Sequence, residues 1–513
     1  MRTKLLLIAI LAVLPAISAL AETPPAPETT TISGAPPSDV TALRQELRDI
    51  AQAAGAGTIA MPELRKKLAD IVSRPGFGSL TAGEQRAAYF ILGVAEYKDH
   101  DPKSALATLK MSSQMADASK YDWYYRLLAA GQLSDYDDSL TSLTVLANNW
   151  PELLSNLNDH AIFSIAIQGA KISDEREAAL LEPLLAKWTP SDPFFNTDAL
   201  AFRLAGLKLA KQDTAGAAVL ARGIGDPQLV IEMRADRRFD PIVQQDPSHF
   251  DVSAWLKAGE INLRNRTMTH PQLLEGLTHL ASFLLQTGRP QEALDVVDAA
   301  IARAAPVGGK PSPFTDYDDE INWAFDARSQ ALWDLGRFDE AIQEMARGAQ
   351  MKEDGGVNVS QAINLGGRYD ALGRPGDALA AIASVGVMSS FGRMQLEDVR
   401  ACAYAQSGDA ANLKTSLDYI HAHQSDAWDA AVDAPLCAND LDGAAAVVVA
   451  GLADARERGE MLLWLQDFLA VKRGPHGELL HQRWLALRAR PDVQAALTRV
   501  GRVESYPIKS PLD

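Results

Sequence analysis

The sequence predicts an all-α protein, an α-solenoid of stacked helical hairpins. Three observations predict it. One eight-residue phrase occurs three times, as TGRPQEAL at 287–294, LGRFDEAI at 335–342 and LGRPGDAL at 372–379. Around each copy, apolar and small residues recur three and four apart, the spacing of one helix face, and the intervening Gly marks a helix end that needs φ > 0. Finally, 513 residues with 47% hydrophobic and 22% charged side chains exceed what one compact core holds, so several domains or an extended array is required.

Around Gly373 the chain reads NLGGRYDALGRPGDALAAIASV, with Leu365, Gly366 and Tyr369 before the turn and Ala378 and Ile382 after it. The equivalents are Leu280, Ala281, Leu284, Ala293 and Val297 around Gly288, and Arg328, Ser329, Leu332, Ala341 and Met345 around Gly336. This pattern resembles the tetratricopeptide repeat, and the resemblance implies a right-handed superhelix of hairpins that binds other proteins. Two helices approach to about 8–10 Å only where small side chains occupy the crossing. Ala281, Ser329 and Gly366 are expected to meet Ala293, Ala341 and Ala378 there.

From the N-terminus, Met1 to Lys4 is a basic start, Leu5 to Leu20 is largely apolar, and Ala19-Leu20-Ala21 supplies small residues before Glu22. This predicts a cleavable export signal over 1–21, cut after Ala21, and a periplasmic location. The run is too short to span a bilayer, so no membrane insertion is expected after cleavage. Residues 22–38, rich in Pro and Thr, read as a disordered leader. An N-terminal cap and degenerate repeats follow over 39–223, with Pro62 pre-set for a first helical turn. Fainter turns fall at His100, Asp135 and Gln212; the gaps of 77 and 76 residues on either side of Gln212 each leave room for one more hairpin.

Segment 224–272 lacks the repeat signature and reads as an irregular helical connector, either a degenerate hairpin or a hinge. Repeats resume over 273–458, with turns at Gly288, Gly336, Gly373, Gly408 and Asn439 and an inserted loop at 306–318. Capping helices and a tail complete the chain over 459–513. The count comes to roughly eight to ten hairpins.

The balance of 49 Lys and Arg against 66 Asp and Glu, 47 against 66 once Arg2 and Lys4 leave with the signal, opposes binding to phosphate backbones. A nucleic-acid partner is therefore not expected. Phosphate loops, the nucleophile elbow and the paired-histidine zinc motif are absent from the sequence. His421 and His423 lie about 200° apart on a helix and cannot share a metal. The acidic runs SDYDDS at 134–139 and TDYDDE at 315–320 share the Asp spacing of a calcium loop but lack its Gly and terminal Glu, so helix capping is the expected role. No cofactor or metal is implied.

A rival class is a carbohydrate-active α/α-toroid, with Asp316, Asp318, Asp319 and Glu320 beside Trp323 as candidate acid and base. Against it, a pair of loop carboxylates is unspecific and the hairpin length fits the repeat. The chain is therefore read as a non-catalytic envelope scaffold. Its resemblance puts first helices on the concave face, where Glu275, Ser282, Trp323, Asp326, Gln330, Trp333, Asp334, Asp370 and Asp398 fall. An acidic face with two tryptophans suits an extended protein or peptide segment bearing Lys or Arg and an apolar anchor. Packing of Trp323 and Trp333 between hairpins is the competing expectation. Cys402 and Cys437, counted from their turns, are offset by four residues, which puts their Cα atoms about 11 Å apart; two free thiols are expected.

Overall fold

The computed structural model describes residues 37–169, 172–304, 311–353 and 356–512. The expected signal segment, nearly all of the expected leader and residues 306–310 of the expected loop lie outside them. The described residues form helices and one pair of two-residue strands, β1 Lys352–Glu353 and β2 Gly356–Val357. They fall into two compact units divided between Leu207 and Lys208.

Unit 1 contains α1 Pro37–Gly55, α2 Met61–Ser73, α3 Ala82–Lys98, α4 Pro102–Ser113, α5 Lys120–Gln132, α6 Tyr136–Asn149, α7 Asp159–Gly169 and α8 Asp174–Lys187. The division falls within α9, Asp198–Ala210. Helix α1 takes in Pro37 and Ser38, so helix begins slightly before the expected end of the leader. The α7 and α8 pair fills the first of the two gaps. Unit 1 buries guanidinium–carboxylate pairs between its helices: Arg126 to Asp138 at 2.7 Å and Arg86 to Asp122 at 2.9 Å. Each partner satisfies the other where desolvation would otherwise be costly.

Unit 2 continues with α10 Thr214–Gly223, α11 Pro227–Ala235, α12 Asp240–Val243 and α13 Val252–Thr269. These occupy the second gap and are no repeat hairpin: Pro227 and Pro241 each restart a short helix. Four hairpins of first and second helices come next: α14 Glu275–Gln286 with α15 Pro290–Ala304, α16 Tyr317–Asp334 with α17 Phe338–Ala349, α18 Val359–Ala371 with α19 Pro375–Ala381, and α20 Ser390–Ser407 with α21 Ala410–Ala422. A fifth, α22 Trp428–Cys437 with α23 Leu441–Ala453, precedes α24 Arg458–Trp464, α25 Pro475–Arg488 and α26 Pro491–Val500.

The repeated phrase is a helix stop and restart. Every positive φ among the described residues lies one or two residues past a helix: Gly57, His100, Ser134, Gln212, Gly288, Gly336, Gly373, Gly408 and Asn439. The turn expected at Asp135 is thus at Ser134, with Asp135 capping α6 through the Asp138 amide. At each turn the next amide reaches back five residues, as in Arg289 N to Leu284 O, Arg337 N to Leu332 O and Arg374 N to Tyr369 O at 2.8–2.9 Å, the Schellman closure. In the three copies the Arg after the Gly then pairs with the acid three residues on: Arg289 with Glu292, Arg337 with Glu340, Arg374 with Asp377. Elsewhere an Asp takes the position and caps the second helix, as Asp409 does for Asn412 N and Asp440 for Gly443 N.

The small residues at the crossings are packed as expected. Ala281, Ala293, Ser329, Ala341 and Ala378 have no exposed surface, and Ser329 Oγ donates to Ala341 O at 2.7 Å. A Cβ on Gly366 would come within 2.8 Å of Val399.

The expectation of free thiols is overturned. Cys402 and Cys437 form a disulfide, with Cα atoms 4.9 Å apart. Equal register at the turns was the faulty premise. Helix α22 is slid about one turn along α20, and the same slide sets Gln395, thirteen residues before its turn Gly, against Asp429, ten before its turn Asn, at 2.7 Å. The slide removes the four-residue offset.

Candidate functional site

After α24 the chain leaves helical structure at 465–474, and after α26 it returns over 501–512. The two stretches run side by side, joined by Asp467 N to Glu504 O, Tyr506 N to Asp467 O and Leu469 N to Ile508 O at 2.8–3.0 Å. Together they cross the C-terminal ends of successive first helices, where backbone carbonyls lack intrahelical partners. Lys509 N donates to Gln286 O of α14 at 2.8 Å. Lys472 Nζ donates to Leu335 O, just past α16, at 2.8 Å, and Arg483 Nη1 to Leu436 O and Cys437 O of α22 at 2.6 and 2.9 Å. At α18 the approach is so close that a Cβ on Gly474 would lie 2.4 Å from Ala371 O. The far end is tied to α11 through Arg502 N to Ala235 O at 3.0 Å and Arg234 to Glu504 at 2.6 Å.

Between this clasp and the first helices lies a cavity of about 450 Å³. Successive first helices each bring carboxylates to it: Asp334 from α16, Asp370 from α18, Asp398 from α20, and Asp429 and Asp433 from α22. Its aromatic wall includes Trp333, Trp464 and Trp484. Burial pushes the Asp370 carboxyl up to about 8. Asp398, half-buried, is held well above the usual carboxylate range by burial, then by the like charges of Asp433, Asp429 and Asp370.

The structure brings four of the nine candidate residues to this cavity and leaves Glu275, Ser282, Trp323, Asp326 and Gln330 outside it. Trp333, Asp334, Asp370 and Asp398 line it. Trp333 is buried beneath the Arg368 guanidinium, 4.6 Å from the ring centroid, and against Phe338. Asp334 is ion-paired with Lys509 at 2.8 Å. Asp326, raised by burial, is enclosed with Gln330 Nε2 at 2.6 Å and Asn364 at 3.4 Å. Trp323 is 39% exposed. The two tryptophans therefore part company, one packed and one on the surface.

Asp429, Asp433, Trp464 and Trp484 were not singled out in the sequence. The spacing of WDAAVD puts its two later acids on one helical face, which is a usable signal for that pair; the clasp residues carry none. The acids of the rival carbohydrate reading are structural. Asp316 accepts Leu274 N and Glu275 N at 2.8 and 2.9 Å and so caps α14, while Asp318, Asp319 and Glu320 sit in the first turn of α16. His423 stacks on Tyr419 and contacts its carbonyl.

Among solved structures, the chain is similar to the APC/C hetero-tetramer Cut9–Hcn1, with TM-score 0.28 and 12% identity over 90% of this chain and 90% of that one. It is also similar to the human IFIT1 dimer with PPP-AAAA, with TM-score 0.31 and 12% identity over 86% of this chain and 93% of that one. At that distance the likeness says nothing of function. Neither a protein-family model nor a curated protein sequence matches the chain. No described helix is long and apolar enough to cross a membrane.

Proposed function

We propose that this chain is an exported, non-catalytic binding scaffold of the bacterial envelope that takes a protein or peptide segment on the first-helix face of unit 2. The observation that carries this reading is the convergence of Asp370, Asp398, Asp429 and Asp433 from three successive first helices on one cavity walled by Trp464 and Trp484. Acids and large aromatics meeting in a concave site suit a ligand with a basic and an apolar part. The Cys402–Cys437 disulfide supports the export reading, since such bonds persist in oxidising compartments. The structural use of Asp316 supports a scaffold over a carbohydrate enzyme. The acidic balance of the chain supports a partner other than nucleic acid.

The test is crosslinking and pull-down of the mature protein from its own envelope, beside an Asp398→Asn, Trp484→Ala variant of unchanged helicity. A partner captured by the wild type and lost by the variant is the expected result. Equal capture by both would place the binding face elsewhere. N-terminal sequencing of the exported protein should begin at Glu22; an uncleaved start would refute the location.

A further inference from the structure

We propose that the cavity of unit 2 recognises a primary alkylammonium group, held between Asp370 and Asp398 with its methylene chain against Trp464 and Trp484; this rests on reading the first-helix face as the binding face. Asp370 is only 4% exposed. Asp370 lines the cavity; its Oδ1 accepts Gln406 Nε2 at 3.3 Å, while its Oδ2 is buried with no hydrogen-bond partner. Such an orphan acceptor is costly unless a donor arrives.

The cations of the lining have contacts of their own. Lys472 donates to Leu335 O and Arg473 to Val471 O, Arg488 binds Leu465 O and Asp467, and Arg368 lies over Trp333. No ion pair involves Asp370, Asp398 or Asp429 among the described residues. Asp429 accepts only the neutral Gln395 amide. His481 is the remaining titratable group in the wall.

The geometry favours an ammonium over a guanidinium. Asp370 and Asp429 each have one oxygen taken by a glutamine amide, which leaves one apiece and suits a compact charge with three donors; a planar fork needs one bidentate carboxylate. The aromatic wall covers the alkyl stem and adds attraction for the cation. Two sources share this chemistry: a free diamine, or the lysyl side chain of a partner.

Proton linkage gives the site a signature. Burial raises the Asp370 carboxyl to about 8, so it carries its proton at neutral pH, and burial, then the like charges of Asp433, Asp429 and Asp370, raises Asp398; Asp429 and Asp433 from α22, Lys472 and Arg473 from the clasp, and His481 and Arg488 from α25 line the same cavity. An alkylammonium, with a pKa of about 10.4, stays charged and must displace a proton from the carboxyl it meets. Affinity therefore rises about tenfold per pH unit for each proton displaced, levelling for Asp370 as pH passes about 8.

The test titrates the full mature chain with pentane-1,5-diamine and with a blocked Gly-Lys-Gly peptide, using pentan-1-ol as the neutral control, by calorimetry in buffers of different ionisation enthalpy and by tryptophan fluorescence. The expected result is binding of at least one amine with proton release and affinity rising from pH 6 to 8. Asp370→Asn and Asp398→Asn should each weaken binding at least tenfold. Diamine alone binding identifies a free amine as ligand, and peptide alone binding a partner's lysine. If either variant fails to fold, Asp429→Asn takes its place and must weaken binding measurably.

No binding of either amine at about 10 mM, equal binding of the alcohol, or wild-type affinity in the Asn variants would overturn the proposal. Partner capture without amine binding sinks the ammonium site but spares the scaffold. Amine binding without capture does the reverse.

Discussion

The ion pair between Lys509 and Asp334 should hold the clasp on the array. Its partners are 11% and 9% exposed, with Nζ at 2.8 and 2.9 Å from the two carboxylate oxygens. Removing one member of a buried pair leaves the other charge uncompensated, at a cost of about 3–5 kcal/mol, whereas replacing both by apolar groups of similar volume is often neutral. Lys509→Met and Asp334→Leu are therefore each expected to destabilise by about 3 kcal/mol, and the double variant by less than about 1 kcal/mol. Both groups lie on a terminal segment, so the loss is capped by the free energy of docking that segment; a lower cap means the clasp is released without global unfolding. Urea denaturation followed by circular dichroism measures the first outcome. Limited proteolysis, with cleavage mapped between 501 and 512, measures the second. Single variants that match the wild type within about 0.5 kcal/mol and resist protease equally would refute the reasoning, as would a double variant no better than either single one.

Three further outcomes follow from the same contacts. Asp370 has a carboxyl pushed up to about 8, so the native state keeps a proton that the unfolded chain loses near its ordinary value, and stability falls as pH rises through that window. At about 1.4 kcal/mol per pH unit the loss from pH 5 to 7 is about 3 kcal/mol; Asp370→Asn should reduce the slope in urea melts, leaving the contributions of the other acids that burial raises, Asp398, Asp326, Glu232 and Glu460, the last to about 7. A slope unchanged by the substitution would mean that Asp370 stays ionised. The disulfide closes a loop with a sequence separation of 35, so reduction should cost about 4 kcal/mol by the loop-entropy relation, and mass spectrometry of the unreduced protein should show a 402–437 crosslink. Gly474→Ala drives a methyl group into Ala371 O and should destabilise by about 1–3 kcal/mol; a neutral result in thermal melts would mean the clasp stands further from α18.

What was legible was local. Gly288, Gly336 and Gly373 announce their turns because φ > 0 costs other residues more, and His100, Gln212 and Asn439 were placed only because the flanking helix spacing framed them. The Arg–acid pairs that follow the three glycines sit in the repeated phrase itself. What was not legible depended on registers between segments distant in sequence. The disulfide required the slide of α22 along α20, and no spacing within either helix encodes a slide. The clasp joins residues separated by 175 positions at Lys509 and Asp334 and by 270 at Glu504 and Arg234. Its own sequence has no periodicity, since its amides are satisfied by carbonyls of other elements.

The clasp also changes what an acidic first-helix face means. A basic extended segment with an apolar anchor is the ligand chemistry expected for that face, and the chain supplies such a segment itself: Ile508 is fully buried and Lys509 pairs with Asp334. A tethered segment acts at an effective concentration in the millimolar range. A partner lysine approaching Asp334 would therefore compete with an intramolecular one before gaining any net affinity. Asp370, Asp398 and Asp429 are under no such competition, because no ion pair involves them among the described residues. The acids that matter for an outside ligand are therefore the ones without an internal cation, and a ligand that meets Asp370 displaces its proton. That makes the clasp a selector: it removes the Asp334 carboxylate from play by pairing it with Lys509 and leaves a site whose occupancy depends on pH.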